Sequence, residues 1–210
     1  MVNQEISKQP ASHYSKQDAR SALSRQKLLE AVVRIVQARG ISGLSVRAIC
    51  EEAGLSTGAF YHLFDSKEDV IGYYLTYTFK RYEDEVIASS ENLTASQKVR
   101  NIYQYLVKCY EEAGYEFMTA FYTPANPMLN YRNRPESDGV VLEKVCEYLV
   151  QGQEEGTIRA DLDFDEVKLE IAMIATGVMF YWCVFQGDVD AAGLIDKKLE
   201  QYLSTIEVRN

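Results

Sequence analysis

Residues 45–64 read SVRAICEEAGLSTGAFYHLF, and this stretch decides the fold. Apolar residues recur at helical spacing on both sides of Gly54, and a serine precedes each run, where an N-cap opens a helix. Two short helices joined by a tight turn that contains glycine form a helix-turn-helix. The pattern therefore predicts two packed helices, over about 46–53 and 57–64.

The second of these helices has an unusual outward face. The residues expected to form the internal core of the motif are Ile49, Ala53, Leu55, Phe60 and Leu63, with the small Cys50 where the two helices cross. The residues left outside are Thr57, Gly58, Ala59, Tyr61 and His62. A water-facing helix usually carries Lys and Glu, and glycine inside a helix costs about 1 kcal/mol relative to alanine. Such a face suits close approach to a DNA backbone and base edges, where Gly58 removes bulk.

The remaining pattern is helical along the whole chain. A first helix is predicted from about Asp18 to Arg39, because Leu28, Ala31, Val32, Ile35 and Val36 form one apolar stripe. Asp65 with Glu68, and Thr94 with Gln97, have the spacing of capping boxes. Further helices are predicted near 66–89, 95–113, 115–122, 138–155, 165–186 and 189–206, with a proline-marked loop at 124–135. We predict an all-α fold.

Charge is distributed unevenly along the chain. Residues 1–81 hold 11 Lys and Arg against 8 Asp and Glu, whereas residues 82–210 hold 11 against 23, within a net charge of −9. The N-terminal part is therefore suited to a polyanion, and the acidic remainder to another task.

Composition argues against several other classes of protein. The four cysteines are widely spaced and His13 and His62 are the only histidines, so we expect no metal site, no cofactor and no enzyme. The first residues have no apolar run, and the most apolar segment, 171–185, is short for a membrane span. We expect a cytoplasmic protein that does not enter a membrane.

The run LSVRAICEEAGLSTGAFYHLFDSKEDVI (44–71), with SRQKLLEAVVRIVQARG (24–40) before it, resembles the DNA-binding motif of the TetR family of bacterial repressors. Val36 stands where such proteins commonly carry Phe, which affects packing of the first helix rather than DNA contact. The resemblance implies a flexible arm at 1–20, a helix-turn-helix domain at 21–66, and a ligand-binding and dimerisation domain at 67–210.

The resemblance also implies which residues meet DNA. The implied DNA-binding set is Ser45, Arg47, Ser56, Thr57, Gly58, Tyr61, His62 and Lys67. In this set Arg47 would reach a base edge or a phosphate, and Thr57 and Gly58 would meet the major groove. Lys67, in the first turn of the fourth helix, opposes the helix dipole, so we expect it to hold a phosphate rather than to stabilise the fold.

The helix at 165–186 is apolar around most of its circumference, which is typical of a helix that is buried on all sides. From the residues alone it could belong to the core of one chain or to a two-fold interface. The resemblance favours a homodimer, with a candidate interface at Val145, Leu149, Gly177, Val178 and Trp182.

Aromatic residues cluster in the middle helices, and the sequence alone leaves open whether they form core or a cavity. The resemblance implies a small-molecule inducer site, for which the candidates are Tyr103, Tyr110, Phe121, Tyr122 and Trp182. The predicted function is a repressor that binds a palindromic double-stranded DNA operator as a dimer and is released by an inducer. The alternatives are an activator, or an all-α ligand-binding dimer without a repressor role.

Overall fold

The computed structural model describes residues 12–90, 92–122 and 139–208, and every regular element within them is a helix. The α-helices are α1 (Ser12–Arg39), α2 (Val46–Ala53), α3 (Thr57–Leu63), α4 (Lys67–Glu85), α5 (Ala95–Ala113), α6 (Tyr115–Phe121), α7 (Gly139–Glu154), α8 (Phe164–Val184) and α9 (Ala191–Ile206). Short 3₁₀ turns occupy Ile41–Gly43 and Ile87–Ser90. The all-α prediction is confirmed, while the predicted loop at 124–135 lies outside the described residues.

Helix α1 begins earlier than its apolar stripe does. Residues 12–20, which were expected to belong to a flexible arm, are helical, and residues 1–11 are outside the described residues. The stripe itself is confirmed, because Leu28, Ala31, Val32, Ile35 and Val36 are all buried. They pack α1 against α2 and α4, together with the buried side chains of Ile49 and Phe60.

The ends of the short helices are set by local signals. Ser45 and Ser56 cap α2 and α3, and Gly54 ends α2 in the left-handed conformation at φ 65°, as the sequence predicts. The predicted Asp65 cap is wrong. Ser66 caps α4 instead, since its hydroxyl accepts the N–H of Asp69.

The second part of the chain is a helical bundle arranged around α5. Helix α5 opens with the predicted Thr94–Gln97 capping box and packs on α4, α6, α7 and α9. The guanidinium of Arg100 on α5 forms a two-pronged ion pair with Asp196 on α9. Helix α8 lies across the bundle, against α6, α7 and α9.

Helix α8 is only partly covered by its own chain. Ile171, Met179 and Trp182 are buried, but Met173 and Phe180 are about half exposed, so the expectation of burial on all sides is wrong for the protomer. By length and composition α8 is apolar enough to cross a membrane. Apolar helices in soluble proteins share that property, so it does not by itself indicate a membrane segment.

Candidate DNA-binding surface and ligand cavity

Helix α3 is anchored by one ring and exposes most of its remaining surface. The side chain of Phe60 is fully buried, and its ring lies 5.4 Å from that of Tyr61 and 6.2 Å from that of Phe64. The exposed residues of α3 are Thr57, Gly58, Tyr61 and His62. Ala59, which was expected on the same face, is half buried. With 59% of its surface accessible, Tyr61 presents a ring that is available to a partner.

The two capping serines lie beside this surface. The Ser45 hydroxyl accepts the N–H of Ala48 at 3.2 Å, and the Ser56 hydroxyl accepts the N–H of Ala59 at 3.1 Å. Both residues are exposed. A serine that accepts a hydrogen bond still has its own hydroxyl hydrogen to donate. Each cap can therefore also contact a phosphate oxygen.

Arg47 extends from α2 into solvent. Its guanidinium is paired with the carboxylate of Glu51, one turn along the helix, at 2.8 Å. The hydrogen bond from that carboxylate raises the pKa of Arg47, so the side chain remains charged. Because an ion pair this exposed contributes little, exchanging Glu51 for a phosphate costs little.

Lys67 has an internal contact that sequence reasoning missed. Its ammonium donates a hydrogen bond to the backbone carbonyl of Leu44 at 3.2 Å, and it lies 4.0 Å from the carboxylate of Glu68. The side chain thereby ties the start of α4 to the segment before α2. The argument that Lys67 is misplaced for stability is therefore wrong, although the side chain is still 37% exposed and can reach a ligand.

A cavity lies between α4, α5, α6, α7, α8 and α9, with a volume of about 70 Å³. Four of the aromatic residues predicted to hold a ligand line it: Tyr103, Tyr110, Phe121 and Tyr122. Trp182 is not among the described lining residues. Its side chain is buried near the end of α8, and it packs beside Gly187, which follows that helix. The walls are completed mainly by aliphatic side chains, which include Leu75, Val107 and Met179.

The cavity is apolar but carries several hydroxyl groups. Tyr103, Tyr110, Tyr122 and Thr176 contribute hydroxyls, and none of the described lining residues has a formal charge. Burial raises the pKa of Tyr110 well above its usual value, and neighbouring tyrosines raise it further. The Tyr110 phenol therefore stays neutral and acts as a hydrogen-bonding group at ordinary pH.

Contacts join α5, which lines the cavity, to the helices α4 and α1. Tyr74 on α4 packs its ring 5.9 Å from that of Tyr110, and its hydroxyl donates to the carbonyl of Cys109 at 2.6 Å. On α1, the side-chain amide of Gln37 donates to the carbonyl of Ala113 at 3.0 Å, at the end of α5. Helix α5 is therefore linked directly to both α4 and α1.

The outward face of α8 carries a continuous apolar stripe. Its members recur three or four residues apart: Leu169, Met173, Gly177, Phe180 and Val184, all exposed. Of the residues predicted at a dimer interface, Gly177 lies on this stripe and Val178 beside it is half buried. Val145, Leu149 and Trp182 do not lie there, because their side chains are inside the protomer. Helix α8 has an inner and an outer apolar side, and the three residues lie on the inner sides of α7 and α8.

Comparison with known proteins places these features in a family. Residues 28–73, which include all of α2 and α3, match the sequence model of the bacterial regulatory proteins of the tetR family. The HTH-type transcriptional repressor KstR2 of Mycobacterium tuberculosis is 29% identical over 154 residues, which cover 68% of this chain and 73% of that protein. The chain is similar to regulators of the TetR family, most clearly over residues 28–73. It is a DNA-binding transcriptional regulator and not an enzyme.

Solved structures of TetR-family regulators share the fold along most of the chain. FadR of Thermus thermophilus, determined in complex with lauroyl-CoA, has a TM-score of 0.67 at 17% identity and covers 89% of this chain and 96% of its own. FadR of Bacillus subtilis, in complex with stearoyl-CoA, has a TM-score of 0.64 at 19% identity, covering 86% and 98%. At these identities the likeness concerns the fold alone.

Sequence reasoning named the residues that are exposed on α3 but missed those that join α5 to α1 and α4. Gln37 and Tyr74 carry no local signal, since their partners are backbone carbonyls and rings distant in sequence. The aliphatic part of the cavity wall was missed for a related reason. Ala172, Ala175 and Ile195 look like ordinary core residues until helix packing brings them together.

For Lys67→Ala we expect binding to weaken similarly on all DNA sequences, with the slope of log affinity against log salt reduced by about 1. The reason is the loss of one ammonium that is exposed enough to contact a phosphate. Filter-binding titrations across a range of salt concentrations would measure the slope, with Lys80→Ala on the exposed side of α4 as the control. An unchanged slope would mean that the ammonium serves only the Leu44 carbonyl.

Proposed function

We propose that the protein is a cytoplasmic, homodimeric transcriptional repressor that binds a palindromic operator and releases it when a small apolar molecule occupies the cavity. The observation that carries the proposal is the direct packing of a cavity-lining residue, Tyr110, on Tyr74 of α4. Helix α4 begins at Lys67, next to the recognition helix, so one rigid element spans the two functions.

On the DNA side, α3 enters the major groove with Thr57 and Gly58 toward the base edges. Tyr61 and His62 contact the backbone at the far end of the same helix. Ser45, Arg47, Ser56 and Lys67 hold flanking phosphates and fix the register, as hydroxyl and cationic groups do in other helix-turn-helix proteins. The excess of positive charge in residues 1–81 supports this assignment.

The dimer forms through the outward stripe of α8, from Leu169 to Val184. A stripe of this kind is self-complementary about a two-fold axis, and Gly177 at its centre allows two helices to approach closely. The two α3 helices then read half-sites about one DNA turn, roughly 34 Å, apart. This arrangement explains why a helix apolar on both sides is only partly covered by its own chain.

The buried part of the ligand is apolar and uncharged, with at least one oxygen that can bond to a phenol or to Thr176. A charge placed against these walls would lose its hydration without gaining a counter-ion among the described lining residues. Two structures of the same fold, both named FadR, contain lauroyl-CoA or stearoyl-CoA. Acyl chains attached to a polar carrier are therefore the first compounds to test.

The small size of the cavity supports a switch rather than passive binding. Its volume of about 70 Å³ is well below the roughly 300–1,000 Å³ typical of ligand sites. A ligand must therefore move α5 and its neighbours apart, and these helices are tied to α4 by Tyr74 and to α1 by Gln37. The coupling equals the difference in ligand affinity between the closed and widened states.

The experiment has two stages. Selection from randomised double-stranded DNA should yield one palindromic sequence bound by the purified protein, and light scattering should show a dimer. Lauroyl-CoA and stearoyl-CoA, with free CoA as the control, should then lower the affinity for that sequence. Failure to enrich any sequence would overturn the DNA assignment, and release by free CoA alone would overturn the apolar site.

Ala175→Leu tests the cavity separately from the DNA surface. The larger side chain should fill free space between α5 and α8, so operator affinity should stay near that of the wild-type protein while release by acyl-CoA is lost. Ala175→Ser, which keeps the volume of the cavity, should behave like the wild-type protein. Operator titrations with and without ligand measure both properties, and unchanged release in Ala175→Leu would place the ligand elsewhere.

A further inference from the structure

Arg25 lies on α1, away from the residues assigned to DNA, yet it holds the end of the recognition helix. Its guanidinium donates a hydrogen bond to the carbonyl of Leu63, the last residue of α3, at 2.7 Å. The same group lies over the ring of Phe64 at 5.0 Å and over that of Tyr73 on α4 at 5.8 Å. One side chain thus connects α1, the end of α3 and α4.

We propose that Arg25 is the positioning residue that fixes the last turn of α3 for DNA binding. This inference rests on the proposed role of α3 as the recognition helix. Helix α3 has seven residues, a length at which a helix is not stable in water without support from its surroundings. Its first turn is held by the Ser56 cap, and its last turn is held by Arg25.

The chemistry of the contact suits this role. The last carbonyls of a helix have no partner within the helix and carry partial negative charge, so a guanidinium placed there is favourable. Planar stacking on two rings restricts the guanidinium to one orientation. Because Arg25 forms no ion pair with a carboxylate within the described residues, its charge acts on α3 without competition.

The consequence falls on two of the DNA-binding residues. Tyr61 and His62 occupy the turn whose end Arg25 holds, and both are exposed. If that turn frays, both side chains lose their fixed direction, even though the contacts of Arg25 are with Leu63, Phe64 and Tyr73. Arg25 therefore acts through α3 and need not touch DNA itself.

The test compares full-length variants on the selected operator and on unrelated DNA. Arg25→Met keeps much of the apolar length but cannot donate, so operator affinity should fall about 10- to 100-fold, the range expected for losing one charge-assisted hydrogen bond. The salt slope should not change, because no cationic phosphate contact is lost, and affinity for unrelated DNA should fall less than affinity for the operator, because only the backbone contacts of Tyr61 and His62 are weakened there. Arg25→Lys, which keeps the charge and a donor, should recover part of the affinity. Lys80→Met, which removes an exposed charge from α4, should behave like the wild-type protein.

Hydrogen exchange on the DNA-free protein gives a second measurement that does not depend on any operator. The amides of Tyr61 to Phe64 should exchange faster in Arg25→Met, and less so in Arg25→Lys, while those of α8 stay unchanged. If Arg25→Met does not fold, Arg25→Lys alone decides, since it should still show faster exchange at the end of α3. A salt slope reduced by about 1, with equal losses on operator and unrelated DNA, would make Arg25 a phosphate contact and overturn the proposal. Wild-type exchange and wild-type operator affinity in Arg25→Met would overturn it as well.

Discussion

Gly58→Leu should abolish specific DNA binding while leaving the protein at least as stable as the wild type. A Cβ at Gly58 would meet nothing within 4 Å except the hydroxyl of Ser56 at 3.9 Å, so the folded chain has room for a larger side chain. Replacing a helical glycine removes a conformational penalty of up to about 1 kcal/mol. Nothing inside the protomer therefore explains why position 58 is a glycine. The close approach of a partner to this face of α3 does explain it.

The expected loss of operator affinity for Gly58→Leu is on the order of 100-fold or more, comparable to losing two good base contacts. Electrophoretic mobility shifts on the selected operator would measure it, and thermal unfolding would report stability. The operator affinity of Gly58→Ala should lie between those of the wild-type protein and Gly58→Leu, because one methyl group pushes α3 out of the groove less than an isobutyl group does. If Gly58→Leu bound the operator as tightly as the wild-type protein, α3 would not enter the groove by this face.

Elements fixed by neighbours in sequence could be predicted, whereas contacts between distant segments could not. Ser45, Ser56 and Gly54 were assigned correctly because a cap acts on amides or carbonyls within one turn. At the start of α4, Asp65 and Ser66 are both good caps, and the one chosen depends on how the chain leaves Phe64. No pattern in the sequence indicated the early start of α1, because its first turns have no apolar stripe.

The candidate sites show the same division. Tyr103, Tyr110, Phe121 and Tyr122, which the resemblance implied, line the cavity because the middle helices that carry them pack around it. Trp182 was assigned to the cavity with them, yet its side chain packs beside Gly187 instead. Positive charge likewise indicated a DNA-binding half without showing which cations remain available. Arg25 and Lys67 each add one positive charge to the count for this half of the chain. The count does not reveal that each of them also donates a hydrogen bond to a backbone carbonyl of its own chain.

The other large effect is expected for Phe180→Glu, on the outward stripe of α8 one turn after Gly177. Phe180 is about half exposed in the protomer, so a charge at this position should cost the monomer little and the helical circular dichroism should be retained. In a two-fold interface the same position occurs twice, and two carboxylates would be brought together in an apolar contact. Light scattering should therefore show monomers at concentrations where the wild-type protein is a dimer.

Operator binding by Phe180→Glu should fall by about 10²- to 10⁴-fold, because two half-sites are no longer bound by linked recognition helices. Binding to a single half-site should be unaffected, which separates loss of the dimer from damage to α3. Val208→Glu is a matched control, since Val208 is an apolar residue of similar exposure that does not lie on α8. A Phe180→Glu protein that remained dimeric and bound the full operator normally would show that this stripe is not the interface, and the exposed apolar surface of α8 would then require a different partner.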